Sequence, residues 1–118
     1  MKVLIVEDDR LCASLAEIMV NEAGGSVCGV AADAGAALDL AQAHGPDLLL
    51  MDMNLGRGSR EGLAVASAIR AQRDCRVVFV TGYRADDPML DQVEAAVPGA
   101  RVLEKPVSLG ALKAAIRA

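Results

Sequence analysis

With 118 residues, 53% of them hydrophobic, the chain is long enough for one domain that spans residues 1–118 and buries its own core. Its net charge of −4 and its scattered Lys and Arg residues argue against a nucleic-acid surface, and no apolar stretch approaches the ~20 residues that cross a bilayer. The three cysteines form no CxxC pair, so we expect reduced thiols in a cytoplasmic protein without direct nucleic-acid or membrane partners.

Short apolar runs alternate with longer segments of helical period, and this alternation predicts five strands and five helices. The strands are predicted at residues 2–6, 26–31, 47–51, 76–80 and 101–104, and the helices at residues 9–23, 34–43, 61–72, 88–96 and 108–117. Gly24-Gly25 ends the first helix, whereas Asp87-Pro88 offers the fourth helix an N-cap and a proline at its first position. One face of the first helix collects large apolar side chains, at Leu11, Leu15, Ile18 and Met19.

The strict alternation of strands and helices predicts an α/β fold with a doubly wound, five-stranded parallel sheet. The third strand is apolar without alternation, as expected for a strand that helices cover on both faces. Two strand orders are common in such sheets, and the pattern alone does not choose between them. The polar residues at the ends of strands 1, 3, 4 and 5 must be near neighbours, so we predict the flavodoxin-like order 2-1-3-4-5, in which strands 1, 3 and 4 are adjacent and strand 5 lies beside them.

Four of the predicted strands end in residues that can bind a metal ion or a phosphoryl group. In chain order these residues are Glu7, Asp8 and Asp9, then Asp52, then Thr81, and finally Lys105 followed by Pro106. Because ligands bind at the carboxyl edge of a parallel α/β sheet, we expect these side chains to share one magnesium and phosphate site.

The acidic residues suit magnesium, which prefers oxygen ligands in octahedral geometry and usually keeps several waters. Asp8 and Asp52 can supply carboxylates, and Asn54 can supply a backbone carbonyl where the chain leaves the third strand. Glu7 adds a third carboxylate, and three clustered carboxylates would repel one another without a cation. Asp9 is interpreted as the N-cap of the first helix.

The remaining residues suit phosphoryl transfer to a carboxylate. Asp52 would attack phosphorus and form an aspartyl phosphate, while the Lys105 ammonium and the Thr81 hydroxyl would bind the equatorial oxygens. Gly82 would leave room beside the site for an attacking group or a partner.

Four motifs together resemble the receiver domain of two-component response regulators, in order across the whole chain. They are Val6-Glu7-Asp8-Asp9, the run from Asp47 to Asn54, Val78-Phe79-Val80-Thr81-Gly82 and Leu103-Glu104-Lys105-Pro106. The resemblance implies that a sensor histidine kinase or a histidine phosphotransfer protein donates a phosphoryl group to Asp52. It also implies that Asp8 binds Mg²⁺ directly and that Glu7 more often contacts the ion through a water molecule. The peptide bond between Lys105 and Pro106 is expected to be cis.

Two further features bear on this resemblance. His44 is the only histidine and lies in a predicted turn, so the donating histidine must come from another protein. The run Phe79-Val80-Thr81-Gly82-Tyr83 is similar to a stand-alone receiver group of alphaproteobacteria whose fourth strand reads Phe-Ala-Thr-Gly-hydrophobic.

The sequence departs from the common receiver pattern in three places. Val102 stands where receivers usually carry an aromatic residue that swings inward when the threonine engages the phosphate, which puts that switch in question. Gly56 replaces a common proline, in a loop that is longer than usual. Tyr83 follows Thr81 by two residues, and we expect its ring to hinder attacking water and slow dephosphorylation.

The resemblance predicts a phosphorylation-dependent switch without its own output domain, which catalyses only its own phosphorylation and dephosphorylation. A role as a phosphate relay or sink stays open, as does an origin as a piece of a longer kinase or regulator. An unknown target protein would bind the face of helix 4, strand 5 and helix 5, where phosphorylation could also promote a homodimer.

Two alternatives are disfavoured by particular residues. A phosphatase resembling the haloacid dehalogenase family needs a second aspartate two residues after the nucleophile, where this chain has Asn54. It also places the nucleophile after the first strand, whereas Asp52 follows the third. A receiver-like scaffold without chemistry is disfavoured because all five site residues are present.

Overall fold

A computed structural model of the chain describes residues 1–53, 59–82 and 91–117. The strands are β1 (Lys2–Val6), β2 (Ser26–Ala31), β3 (Leu48–Asp52), β4 (Arg76–Thr81) and β5 (Arg101–Glu104). The helices are α1 (Arg10–Glu22), α2 (Ala34–His44), α3 (Ser59–Gln72), α4 (Asp91–Ala96) and α5 (Leu109–Arg117). The predicted bounds differ from these by at most two residues, except that the predicted start of the fourth helix at Asp87-Pro88 lies outside the described residues.

The five strands form one parallel sheet in the order β2-β1-β3-β4-β5, which confirms the predicted fold. β3 lies at the centre, and all five of its residues are buried. Its unbroken apolar sequence follows from this position, because an interior parallel strand is covered by helices on both faces.

Helices α1 and α5 cover one face of the sheet, and α2, α3 and α4 cover the other. Ile5 and Leu50 pack with buried residues of α1 and α5, whereas Leu4 and Met51 pack with buried residues of the other three helices. Neighbouring residues of one strand point to opposite faces, so each interior strand contributes to both clusters.

Helix α1 turns its smaller apolar side chains toward the sheet. Ala13 and Val20 are buried, whereas Leu11, Leu15 and Ile18 are 71%, 53% and 59% exposed. The apolar face predicted from the sequence is therefore largely an outer surface of the helix.

Asp9 caps the amino terminus of α1, as predicted. Its Oδ1 accepts a hydrogen bond from the backbone N–H of Cys12 at 2.9 Å, and this bond holds the pKa of Asp9 below its usual value. None of the described helices has the length and apolar character needed to cross a membrane.

At the opposite, amino-terminal edge of the sheet, Arg76 ties β4 to the end of α5. Its guanidinium donates to the backbone carbonyl of Ile116 at 2.9 Å and to that of Ala115. The last carbonyls of a helix lack partners within the helix, so this side chain satisfies two of them.

Candidate functional site

The parallel sheet brings the ends of four strands to one edge, and backbone hydrogen bonds fix the segments just beyond them. The N–H of Met53 donates to the carbonyl of Val80 at 3.0 Å, and the N–H of Lys105 donates to the carbonyl of Thr81 at 2.8 Å. The residues after β3 and β5 are thereby held against the end of β4.

Three carboxylates meet at this edge. Glu7, Asp8 and Asp52 each offer an oxygen, and these oxygens all lie within 4.8 Å of one another. Asp52 is buried at 5% exposure and Glu7 is nearly so at 9%, whereas Asp8 faces solvent. A compact set of oxygen donors with one open side fits Mg²⁺, whose positive charge would also offset the repulsion among the three groups.

Lys105 places its ammonium beside the two buried carboxylates. Its Nζ lies 3.3 Å from Asp52 Oδ1 and 3.9 Å from Glu7 Oε2. Partial burial lowers the pKa of Lys105, but the negative charges of Asp52 and Glu7 outweigh that effect and raise the pKa overall. Thr81 is completely buried at the end of β4, next to this group in the sheet.

Glu7 has a strongly shifted pKa. Burial raises it from 4.5 to about 7, and the negative charge of Asp52 acts in the same direction. The backbone N–H of Asp9, which donates to Glu7 Oε1 at 3.1 Å, and the Lys105 ammonium oppose that shift. A buried carboxylate that holds its proton near neutral pH is what desolvation without a bound cation predicts.

Of the other predicted site residues, three lie within the described residues and two lie outside them. Gly82 is exposed, and no described atom lies within 4 Å of the position that a Cβ would take there. The peptide bond before Pro106 is cis, as the resemblance implied, and Val102 is half-buried against the cluster beneath α2, α3 and α4. Asn54 and Tyr83 lie outside the described residues.

A cavity that was not predicted from the sequence adjoins this site. It has a volume of about 430 Å³, lies between α1 and α5, and reaches Asp52 and Lys105 at one end. No pattern in the sequence indicated this cavity, because its size depends on the distance between α1 and α5.

The sequence matches the model of the response regulator receiver domain over residues 3–117. The chain belongs to this family. The receiver domain is 36% identical over 86 residues to the transcriptional regulatory protein PdtaR of Mycobacterium tuberculosis, a match that covers 73% of this chain and 41% of that protein. It thus spans about two fifths of the length of this curated relative.

Solved structures of similar receiver domains support the same conclusion. The receiver domain of a modulated diguanylate cyclase from Desulfovibrio desulfuricans G20 has a TM-score of 0.85 at 30% identity, over 98% of this chain and 90% of that one. The receiver domain of PhyR from Erythrobacter litoralis has a TM-score of 0.81 at 28% identity, over 98% and 85%. The family and the fold therefore agree with the motifs at the strand ends.

Proposed function

We propose that this receiver domain accepts a phosphoryl group on Asp52 from the phosphohistidine of a sensor histidine kinase or a histidine phosphotransfer protein. The observation that carries the proposal is the position of Lys105 Nζ, 3.3 Å from Asp52 Oδ1. A buried carboxylate with an ammonium and two further carboxylates around it has the groups that phosphoryl transfer to aspartate needs.

Glu7, Asp8 and Asp52 would hold Mg²⁺, together with the predicted backbone carbonyl of Asn54. When bound, the ion supplies positive charge against the oxygens of the phosphoryl group. The spacing of the three carboxylate oxygens, within 4.8 Å of one another, supports this assignment.

In the proposed step, a carboxylate oxygen of Asp52 forms a bond to phosphorus while the bond from phosphorus to the donor's imidazole nitrogen breaks. The imidazole leaves with the electron pair of that bond. The Lys105 ammonium stabilises the charge on one phosphoryl oxygen, and the Thr81 hydroxyl donates a hydrogen bond to another. Water later attacks phosphorus, the bond from phosphorus to the Asp52 oxygen breaks, and phosphate leaves. In this proposal the domain catalyses only its own phosphorylation and dephosphorylation.

The downstream role is proposed from the residues around the site. Val102 is half-buried and carries no ring that could swing inward, which favours a relay, a phosphate sink or an unusual switch. A target protein or a second phosphorylated copy would bind the face of α4, β5 and α5, and the location we expect is cytoplasmic. Tyr83 is proposed to slow hydrolysis, so an unchanged phosphoprotein half-life in Tyr83→Ala would contradict that role.

The test is incubation with Mg²⁺ and acetyl phosphate, followed by intact-mass measurement. The wild type and the variant Asp39→Asn, which changes an exposed aspartate of α2, should each gain one phosphoryl group. The variant Asp52→Asn should gain none. Equal gain in Asp52→Asn, or no gain in the wild type with either acetyl phosphate or a phosphohistidine protein, would contradict the proposal.

A further inference from the structure

The cavity between α1 and α5 is open to the surface but reaches down to the sheet. Its floor is formed by Ile5, Leu50 and Val80, which belong to the three neighbouring strands β1, β3 and β4. Its walls include Ala16 of α1 and Leu112 of α5. The cavity therefore occupies a place where a close-packed domain would hold core side chains.

The lining is almost entirely apolar. Eleven of the fourteen lining residues are apolar, and the three charged ones, Glu7, Asp52 and Lys105, are the residues of the site already described. An apolar lining offers water few hydrogen-bond partners, and an apolar molecule that enters the cavity loses contact with water. Burial of apolar surface therefore favours an apolar occupant.

The dimensions match a small molecule. The volume of about 430 Å³ lies within the range of roughly 300–1,000 Å³ that is typical of small-molecule pockets. Ile5 and Leu50 on the floor are only 1% and 5% exposed, whereas Leu15 at the opening is 53% exposed.

The charges at the inner end set the polarity of the occupant. In the absence of Mg²⁺, the carboxylate of Asp52 would repel an anionic molecule, and the ammonium of Lys105, 3.3 Å from Asp52 Oδ1, would repel a cationic one. An uncharged molecule meets neither obstacle.

We propose that the cavity between α1 and α5 binds a small, uncharged, apolar molecule of aryl or alkyl type. This site goes beyond phosphoryl acceptance by Asp52, and its occupancy requires no phosphoryl donor. Binding is therefore measured with no donor present, so that it succeeds or fails independently of the proposed phosphorylation.

The probe is N-phenyl-1-naphthylamine, an uncharged dye whose fluorescence rises in apolar surroundings. The protein contains no tryptophan, so its own emission does not obscure the signal. Wild-type protein should bind one dye molecule per chain. In isotope-labelled protein, the dye should show nuclear Overhauser effects to methyl groups of Ile5 and Leu112.

Two variants separate the cavity from the apolar outer surface of α1. Ala16→Phe places a ring in the cavity and should weaken dye binding at least tenfold. Leu11→Ser removes a leucine that is 71% exposed and does not line the cavity, and it should leave binding unchanged.

Three results would overturn the proposal. One is loss of dye binding in Leu11→Ser with binding kept in Ala16→Phe, which would place the dye on the outer surface. Another is absence of dye binding by the folded wild type. The third result applies if Ala16→Phe does not fold. In that case, the absence of Overhauser effects from the dye to Ile5 and Leu112 in the wild type would overturn the proposal.

Discussion

Glu7 connects the site to the stability of the domain through its pKa. Burial raises that pKa from 4.5 to about 7, so between these values the folded state binds a proton that the unfolded state does not. The free energy of unfolding of the metal-free protein should therefore fall as pH rises through this window, by on the order of 2 kcal/mol between about pH 5 and about pH 8. Urea unfolding at several pH values, in the presence of a chelator, measures this change in the free energy of unfolding.

Two variants test whether Glu7 causes that slope. Glu7→Gln should remove most of the dependence on pH, whereas Glu17→Gln, which changes an exposed residue of α1, should keep it. Because the pKa of Asp9 is lowered from 3.8, its effect on stability varies with pH only below about that value and does not contribute to this slope. A slope that survives in Glu7→Gln would show that the titrating group lies elsewhere.

Lys105 should affect phosphorylation and metal binding in opposite directions. Lys105→Met removes the ammonium that lies 3.3 Å from Asp52, and the rate of phosphorylation by acetyl phosphate should fall about tenfold to a hundredfold. Mg²⁺ should bind more tightly, because a cation that competes for the same carboxylates is gone. Calorimetry of Mg²⁺ binding and timed intact-mass measurement give the two quantities.

The matched control is Lys113→Met on α5, which should change neither quantity. Weaker Mg²⁺ binding in Lys105→Met would mean that the ammonium helps to organise the carboxylates rather than competing for them.

At the level of whole elements, α1 shows which of its apolar residues support the fold. Val20 is fully buried, and Val20→Ala should lower the free energy of unfolding by about 1–3 kcal/mol through loss of packing. Ile18 is 59% exposed, and Ile18→Ser should change it by less than about 1 kcal/mol. Denaturant unfolding of both variants measures the difference, and equal losses would contradict the orientation of α1 described above.

Arg76 supports a second element, α5, from the opposite edge of the sheet. Arg76→Met removes hydrogen bonds to the carbonyls of Ala115 and Ile116 and should destabilise the domain by about 1–3 kcal/mol. Hydrogen exchange should accelerate most in the last turn of α5. Arg101→Met, at an exposed residue of β5, is the control, and an equal effect there would show that Arg76 has no specific role.

At the level of the whole molecule, the fold and the meeting of Glu7, Asp8, Asp52 and Lys105 at one edge of the sheet were predictable from the sequence. A parallel sheet sends every strand end to one edge, so the residues after four apolar runs had to meet there once alternation of strands and helices was recognised. The buried face of α1 was not predictable, because its apolar residues extend around more than half of the helix. The sheet contacts small Ala13 rather than Leu11 or Ile18.

Contacts that depend on the distance between elements could also not be predicted from the sequence. Arg76 gave no local sign that it would reach α5, forty residues later along the chain. The size of the cavity depends on the distance between α1 and α5, and the spacing of apolar residues along the chain does not indicate that distance.

Mg²⁺ should stabilise the whole domain by binding its folded state. At a free concentration near a hundred times the dissociation constant the gain is about 2.7 kcal/mol, which raises the melting temperature. The rise should be larger near pH 8 than near pH 5, because protons compete for Glu7 at the lower pH. Asp8→Asn should reduce the rise and Asp39→Asn should not, and an undiminished rise in Asp8→Asn would remove Asp8 from the metal site.

The most direct test of the account is to locate the phosphoryl group within the chain. The protein is phosphorylated in the presence of Mg²⁺, the acyl phosphate is reduced with borohydride, and the peptides are sequenced by mass spectrometry. Asp52 alone should be the reduced residue. Reduction at Asp8, Asp9 or Glu7 instead, or a phosphoryl group on any residue away from this edge of the sheet, would contradict it.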